Sequence, residues 1–284
     1  MEGGDLGSTV LDLGARRYEL RDRALVMGIL NRTPDSFYDK GATYALDDLY
    51  QRAEKLVADG ADILDVGGVK AGPGPEVTEP EELERVVPVV AELAARFDTP
   101  VSVDTWRASV ARAAYGEGAV MGNDISGFAD PDYLPAAAEF GATVVATHIR
   151  LAPRVADPDP HYDDVVAEVS DFLTERAGRA RDAGIAPERI VLDAGLDLGK
   201  TADQSLTLLR ASSKLAALGY PLLLSASNKT FLGVTLGLEL TDRREASLGA
   251  AALGVAWGCR ILRVHDVAAT CRVRDALAAV STAP

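Results

Sequence analysis

Eight short apolar runs recur along the chain, each meeting a polar residue at or near its C-terminal end and each followed by residues at helical spacing. They are Leu25–Leu30, Ile63–Val66, Val101–Val103, Ala119–Met121, Val144–Thr147, Ile190–Leu192, Leu222–Leu224 and Ile261–Leu262. Runs without polar alternation predict strands buried on both faces, the condition of a parallel sheet covered by helices. Between the runs the period changes. Leu46, Leu49, Tyr50, Ala53, Leu56 and Val57 share one helical face, and Gly60 stops that helix. Further helices are expected over Glu79–Arg96, Trp106–Tyr115, Tyr133–Phe140, from the proline-rich loop 149–160 to Ala183, and over Ser205–Leu218, Arg243–Trp257 and on to Val280. Eight strands alternating with eight helices and no internal linker favour one closed (β/α)8 barrel over an open doubly wound sheet. Ahead of it, Val10-Leu11-Asp12-Leu13 and Tyr18-Glu19-Leu20, split by Gly14, predict a short hairpin. Residues 1–8 read as a disordered lead-in, so the barrel domain is expected over 9–284.

In such a barrel the C-terminal strand ends converge on one mouth, where chemistry is carried out. The residues delivered there are Asn31, Asp65, Asp104, Asn123, Asp124, His148, Asp193, Ser225, Arg263 and His265. Asp104 is the centre of the reading, because Val101-Ser102-Val103 leads straight into its carboxylate. A net charge of −14 argues against a nucleic-acid surface, which needs local positive charge against phosphates. A small anion, which senses only nearby charge, remains compatible. No apolar run approaches the ~18 residues that a membrane span requires. Cys259 and Cys271 lack metal-ligand spacing and read as reduced thiols, so a cytoplasmic protein is expected.

Several local patterns carry chemistry. Gly199-Lys200-Thr201 resembles the end of a phosphate-binding P-loop, but Ala194 stands where the leading glycine is required. Arg263 and His265 alternate at the end of the last strand, so both are expected to project into the mouth and meet an anion. Lys229, after the seventh strand, can reach a ligand carbonyl or an anion. Asp104, Asn123 and Asp193 suit a heterocycle with an N–H-rich edge, such as the aminopyrimidinone of a pterin: a carboxylate accepts paired N–H bonds, and an asparagine supplies both polarities. Asp65 and Asp124 read either as ligands or as ties across the mouth. His148 reads as a ligand, a core histidine or a loop anchor.

At these residues the chain resembles the dihydropteroate synthase family over nearly its whole length. The resemblance rests on Met27-Gly28-Ile29-Leu30-Asn31 with Thr33-Pro34-Asp35-Ser36-Phe37, Asp65-Val66-Gly67-Gly68, Ser102-Val103-Asp104-Thr105, Asn123-Asp124-Ile125-Ser126-Gly127, Gly199-Lys200-Thr201 and Arg263-Val264-His265-Asp266-Val267. That family joins 4-aminobenzoate to a dihydropterin methyl diphosphate and releases pyrophosphate with Mg²⁺ present. The resemblance implies that Asp104, Asn123, Asp193 and Lys229 hold the pterin. It implies that Asn31, Arg263 and His265 hold the diphosphate, with Asn31 at the Mg²⁺. It also implies a homodimer formed through late helices.

The departures fall on the other substrate. Where the family usually reads Glu-Ser-Thr-Arg-Pro-Gly, this chain has Val69-Lys70-Ala71-Gly72-Pro73-Gly74, so Ala71 and Gly72 replace a threonine and an arginine that close the site. Losing one charge-assisted contact in a closed site costs about 2–4 kcal/mol, or roughly 10²–10³ in rate. Arg32 stands for a valine, Tyr38-Asp39-Lys40-Gly41 for Ser-Asp-Gly-Gly, Asn228 for an arginine, and Ala194-Gly195-Leu196-Asp197-Leu198 for Pro-Gly-Ile-Gly-Phe. This pattern resembles a divergent paralogue regarded as lacking synthase activity. The expectation is therefore a homologue that keeps a pterin and diphosphate pocket, is inactive or very weak as a synthase, and serves binding or an unidentified protein partner. An active synthase with altered loops is the alternative. A methyltetrahydrofolate-dependent methyltransferase is the remote one, although the chain has no corrinoid-binding module.

Overall fold

A hairpin opens the fold. In the computed structural model, which describes residues 10–32 and 41–283, β1 (Val10–Leu13) pairs antiparallel with β2 (Arg16–Glu19) around Gly14. Gly14 sits at φ +58, a conformation that costs glycine little. The expected lead-in over 1–8 lies outside the described residues, as do Thr33–Phe37 and Tyr38–Lys40 of the first loop.

The barrel staves follow: β3 (Leu25–Asn31), β4 (Ile63–Gly67), β5 (Val101–Asp104), β6 (Met121–Asp124), β7 (Thr143–Thr147), β8 (Ile190–Asp193), β9 (Leu222–Leu224) and β10 (Cys259–Val264). All pair in parallel, and β10 closes back onto β3. The (β/α)8 expectation holds.

Two apolar layers hold it. Inside the barrel, Met27, Ile63, Met121, Val145, Val191, Leu223 and Ile261 form one cluster, and Leu11, Leu13 and Leu20 pack onto it. The hairpin thus seals the end of the barrel opposite the mouth, with Arg189 Nη2 donating to Gly14 O at 2.9 Å. Outside, Val26, Leu64, Val66, Val103, Val144, Leu192 and Leu262 face the helices. Leu11 and Leu13 are at most 1 % exposed. Leu13→Ala is expected to cost about 2–5 kcal/mol in urea unfolding; a loss under ~1 kcal/mol would mean that the seal carries little of the fold's stability.

This inside-outside alternation sorts the strand-end residues. Side chains two apart on a strand share a face. Asp65 follows Ile63, Asn123 follows Met121, Asp193 follows Val191 and Arg263 follows Ile261, so all four inherit the inward direction. Asp104 pairs in register with Asn123, and Asn31 with Gly67. Asp124 has the opposite parity and faces the helix layer.

The helices are α1 (Gly41–Ala58), α2 (Glu79–Arg96), α3 (Ala108–Gly116), α4 (Tyr133–Glu139), α5 (Val165–Asp182), α6 (Ala202–Arg210), α7 (Ser212–Ala216), α8 (Thr230–Leu236), α9 (Arg244–Ala256) and α10 (Val267–Ser281). Four expectations need correction. The fourth barrel strand starts at Met121 and not at Ala119, because Ala119 N–H still bonds Ala114 O at the end of α3. The single helix expected over Ser205–Leu218 is α6 and α7, broken at Ala211, where Ser212 Oγ donates to Leu209 O at 2.7 Å. The first helix begins at Gly41, ahead of the apolar repeat that starts at Leu46. The eight-helix count missed α8, which carries Lys229 at its N-cap and ends at the left-handed Gly237. Among the described residues no helix is long and apolar enough to cross a membrane.

Candidate functional site

Arg263 organises the mouth. Its Nε donates to Asp65 Oδ2 and its Nη2 to Asp104 Oδ2, each at 2.6 Å. Asn123 Nδ2 adds a bond to the same Asp65 oxygen at 3.3 Å. Burial acts to lower the Arg263 pKa, but Asp65 and Asp104 outweigh it and the guanidinium is raised. Asp104 is raised above the usual carboxylate range, chiefly by burial; Arg263 opposes the rise, and Asp65, sharing the same cation, reinforces it. Asp65 Oδ1 is fully buried and has no hydrogen-bond partner among the described residues, and neither has Ser102 Oγ or Thr147 Oγ1. A floor with unmet polar groups suits a polar guest or bound water.

Asp193 and Lys229 form the second side. Asp193 Oδ1 accepts from Gly195 N–H at 2.8 Å. Lys229 Nζ donates to Leu196 O at 2.6 Å. Burial lowers the Lys229 pKa and raises that of Asp193, and each opposes the shift of the other. Arg263 acts on both, so the expected pterin set of Asp104, Asn123, Asp193 and Lys229 occupies one electrostatic neighbourhood. Asn31 ends β3 beside it. A Cβ on Gly67 would stand 3.3 Å from Asn31 Oδ1 and 3.5 Å from Asp104 Oδ2, so glycine keeps that entrance open.

His265 parts from Arg263. It lies just beyond the end of β10, and its Nδ1 sits 3.0 Å from Ser227 Oγ, which also accepts the His265 backbone N–H at 3.2 Å. A hydroxyl oxygen has two lone pairs and one proton, so this pair forms with either ring tautomer. Burial, with Arg263 and Arg52 nearby, lowers its pKa to about 4, so the ring is neutral at pH 7. It lines a cavity of about 340 Å³ with Arg52 and Arg244, while Arg263 points into the barrel. The expected joint projection of the two is only partly met.

The residues left open find structural roles. Asp124 accepts from Ser126 and Phe128 N–H at 2.6 and 2.9 Å and ties the loop after β6. His148 accepts or shares a proton with Lys200 Nζ at 2.9 Å and packs edge-on against Phe172. Lys200 also reaches Gly195 O at 2.9 Å and Leu198 O at 3.0 Å. Burial pushes it down to about 7 and His148 down to about 3. Gly195 is obligatory here, since a Cβ would lie 1.9 Å from His148 O. The Gly-Lys-Thr segment is therefore a loop brace.

The departures from the family pattern also have structural roles. Arg32 Nη1 donates to Glu84 O at 3.0 Å and to Arg85 O at 2.8 Å. Pro88 inside α2 has no N–H for the Glu84 carbonyl, so Arg32 supplies the missing donor. Asp197, at φ +66, caps α8: Oδ1 accepts Phe231 N–H at 3.1 Å and Oδ2 accepts Thr230 N–H at 2.5 Å. Arg154 was not singled out by sequence, yet it bonds three carbonyls of the loop after β4. Its backbone N–H bonds Ala71 O at 3.0 Å, Nη1 bonds Lys70 O at 3.1 Å, and Nη2 bonds Pro75 O. It straps the loop after β4 to the loop after β7.

The family model for pterin binding enzymes matches residues 27–265. The chain belongs to the dihydropteroate synthase family. It is 46% identical over 265 residues to a Mycobacterium tuberculosis protein named inactive dihydropteroate synthase 2, covering 91% of this chain and 83% of that one. It is 42% identical to the dihydropteroate synthase of Synechocystis, over 96% of this chain and 94% of the relative. Among solved structures, the Xanthomonas albilineans dihydropteroate synthase with 4-aminobenzoic acid superposes with a TM-score of 0.91 at 40% identity, over 98% of this chain and all of that one (100%). Within this barrel of the dihydropteroate synthase family, Ala71 and Gly72 lie on a cleft of about 280 Å³ beside Leu198 and Lys200.

Proposed function

We propose that this chain binds a pterin in the barrel mouth and turns over very weakly, if at all, as a synthase. The observation that carries this reading is an asymmetry. Asp104, Asn123, Asp193 and Lys229 stand together around Arg263, with an unpartnered buried oxygen on Asp65. The opposite wall offers Ala71 and Gly72 on a loop that Arg154 ties down by its backbone carbonyls. A leaving diphosphate needs cations placed for it in a closed site. Here Arg263 is committed to two carboxylates and His265 is neutral.

The diphosphate end is read as Asn31, Arg263 and His265. Among the described residues no three His, Cys, Asp or Glu side chains gather to hold a metal. Mg²⁺ commonly takes one or two protein oxygens plus phosphates and waters. The open Asn31 Oδ1 fits that pattern, so Asn31 would hold Mg²⁺ only together with the phosphates of a ligand. Bound there, the ion would neutralise phosphate charge. A homodimer through the late helices is part of the same proposal, supported by the exposed Leu253 on α9 and Val280 on α10. Sedimentation at micromolar concentration tests it, and a monomer would remove it. The two buried free thiols, Cys259 and Cys271, agree with a reducing cytoplasm.

The deciding experiment follows pyrophosphate release with Mg²⁺, the dihydropterin diphosphate and 4-aminobenzoate, beside an authentic synthase, with calorimetry of the pterin alone. Pterin binding with turnover at least about 10²-fold below the control is expected. Turnover within about tenfold, a barrier difference of ~1.4 kcal/mol, would overturn the weak-synthase reading. The second reading, an active synthase with altered loops, is favoured by the 42% identity to the Synechocystis enzyme. Growth of a synthase-deficient strain on folate-free medium would establish it.

A further inference from the structure

Lys229 stands where it cannot cap the helix it precedes. It is the N-cap residue of α8, its side chain makes no capping bond, and an ammonium has no acceptor for the first amides. Those amides are met from another loop. Asp197, 33 residues before Thr230, accepts Thr230 N–H at 2.5 Å and Phe231 N–H at 3.1 Å.

The two loops are joined in both directions. Lys229 Nζ donates back to Leu196 O at 2.6 Å, one residue before Asp197. Asp197 N–H itself donates to Oγ of the buried Ser205 at 3.2 Å, which ties the cap to α6. Asp197 thus fixes the backbone from which Lys229 extends, while Leu196 holds its ammonium. The carboxylate also acts on the Lys229 charge. Burial lowers the Lys229 pKa, Asp193, Asp197 and Asp104 oppose the fall, and Arg263 adds to it. Asp197 sits at φ +66, where the family usually has glycine, so these contacts are made from a backbone conformation that L-residues seldom adopt.

We propose that Asp197 is a positioning residue: by capping α8 from the loop after β8, it sets where Lys229 meets a ligand at the mouth. The ligand in question is the pterin of the reading above, on which this role rests.

Two variants separate the cap from the charge. Asparagine caps about as well as aspartate and tolerates the left-handed region, so Asp197→Asn keeps the bonds and loses the charge. Asp197→Gly loses both without backbone strain. In calorimetry of the full chain with 6-hydroxymethylpterin, Asp197→Gly is expected to weaken binding about tenfold or more, and Asp197→Asn to stay within about threefold of the parent. The second readout is the Lys229 titration, followed by NMR with ¹³C-labelled lysine. The chain has six lysines, and Lys229→Met assigns the signal. In Asp197→Asn the midpoint should fall, because an opposing carboxylate is gone and the ammonium keeps its buried place. In Asp197→Gly it should instead rise toward the ordinary lysine range, because the ammonium leaves that place.

Thermal melts show that each variant is folded, and a merely structural cap would change those melts alone. Equal falls of the midpoint in the two variants, or an unmoved midpoint in Asp197→Gly, would overturn the proposal. So would pterin affinity in folded Asp197→Gly within about threefold of the parent, or equal losses in both variants. The near-isosteric Asp197→Asn must show retained affinity with a lowered midpoint on its own account. If the parent chain binds no pterin, the pterin reading fails, and the opposite signs of the two titrations alone decide the positioning role.

Discussion

Arg263→Met is expected to destabilise the barrel by about 3–5 kcal/mol at neutral pH, because it leaves two buried carboxylates without their shared cation. Asp65 is fully buried, and among the described residues its Oδ2 takes bonds from Arg263 Nε and Asn123 Nδ2 alone. Asp104 Oδ2 takes the Nη2 bond. Methionine fills a similar length of apolar stem but donates nothing. The loss carries a pH signature. Asp104 is raised even with Arg263 present, chiefly by burial. Removing the guanidinium removes an influence that lowers it, so the folded-state value climbs further above the unfolded one. A carboxyl raised on folding binds its proton more tightly in the native state, so its effect on stability worsens as pH rises through the interval between unfolded and folded values. The Arg263→Met deficit should therefore shrink when urea unfolding is repeated at pH 5.5 and grow at pH 8. A deficit below ~1 kcal/mol, or one independent of pH, would mean that Arg263 is not the shared counter-ion of Asp65 and Asp104.

That residue also shows how far the sequence could be read. The period of two that made Ile261 an inward core residue made Arg263 inward as well, and the same rule placed Asp65, Asn123 and Asp193. The mouth was therefore legible wherever the strand itself sets direction. Past the strand end the rule lapses. His265 follows Val264, the last residue of β10, and its orientation is set by Ser227, whose contact lies 38 residues away in sequence. Arg32 became intelligible only beside Pro88, through a carbonyl 52 residues distant. Arg154 sits in a proline-rich loop at φ +67, where no periodicity announces a contact with residues 70–75. Asp197 reads as the loss of a glycine in a left-handed position, yet its two bonds to α8 offset the backbone strain. The short helix it caps, α8, has too few turns to show a repeat. The side proposed for the pterin was written in strand parity except for Lys229, which lies past β9 at the N-cap of α8, while the altered side was written in long-range side-chain contacts that a linear reading cannot supply.

Asp193→Asn should then abolish most pterin affinity while leaving the fold intact, and the two halves of that statement have separate causes. Asp193 Oδ1 is already committed to Gly195 N–H. An asparagine keeps an acceptor on that amide only by placing its oxygen there, which fixes the new NH₂ on the other side of the fork. That side faces the mouth, where Lys229 and Arg263 act on the same carboxylate. The N–H-rich edge of a pterin would then meet donors in place of an acceptor. Losing a charge-assisted pair and gaining a donor clash is expected to cost about 2–4 kcal/mol, or roughly 10²–10³ in Kd. Calorimetry with 6-hydroxymethylpterin measures it, and a melting temperature close to that of the parent chain separates binding from folding. The reverse arrangement, with the NH₂ turned to Gly195, would set two donors against each other in a buried turn, so the melting temperature would fall instead. Unchanged affinity in a folded Asp193→Asn chain would remove Asp193 from the pocket and with it the argument that the mouth is built for a pterin edge.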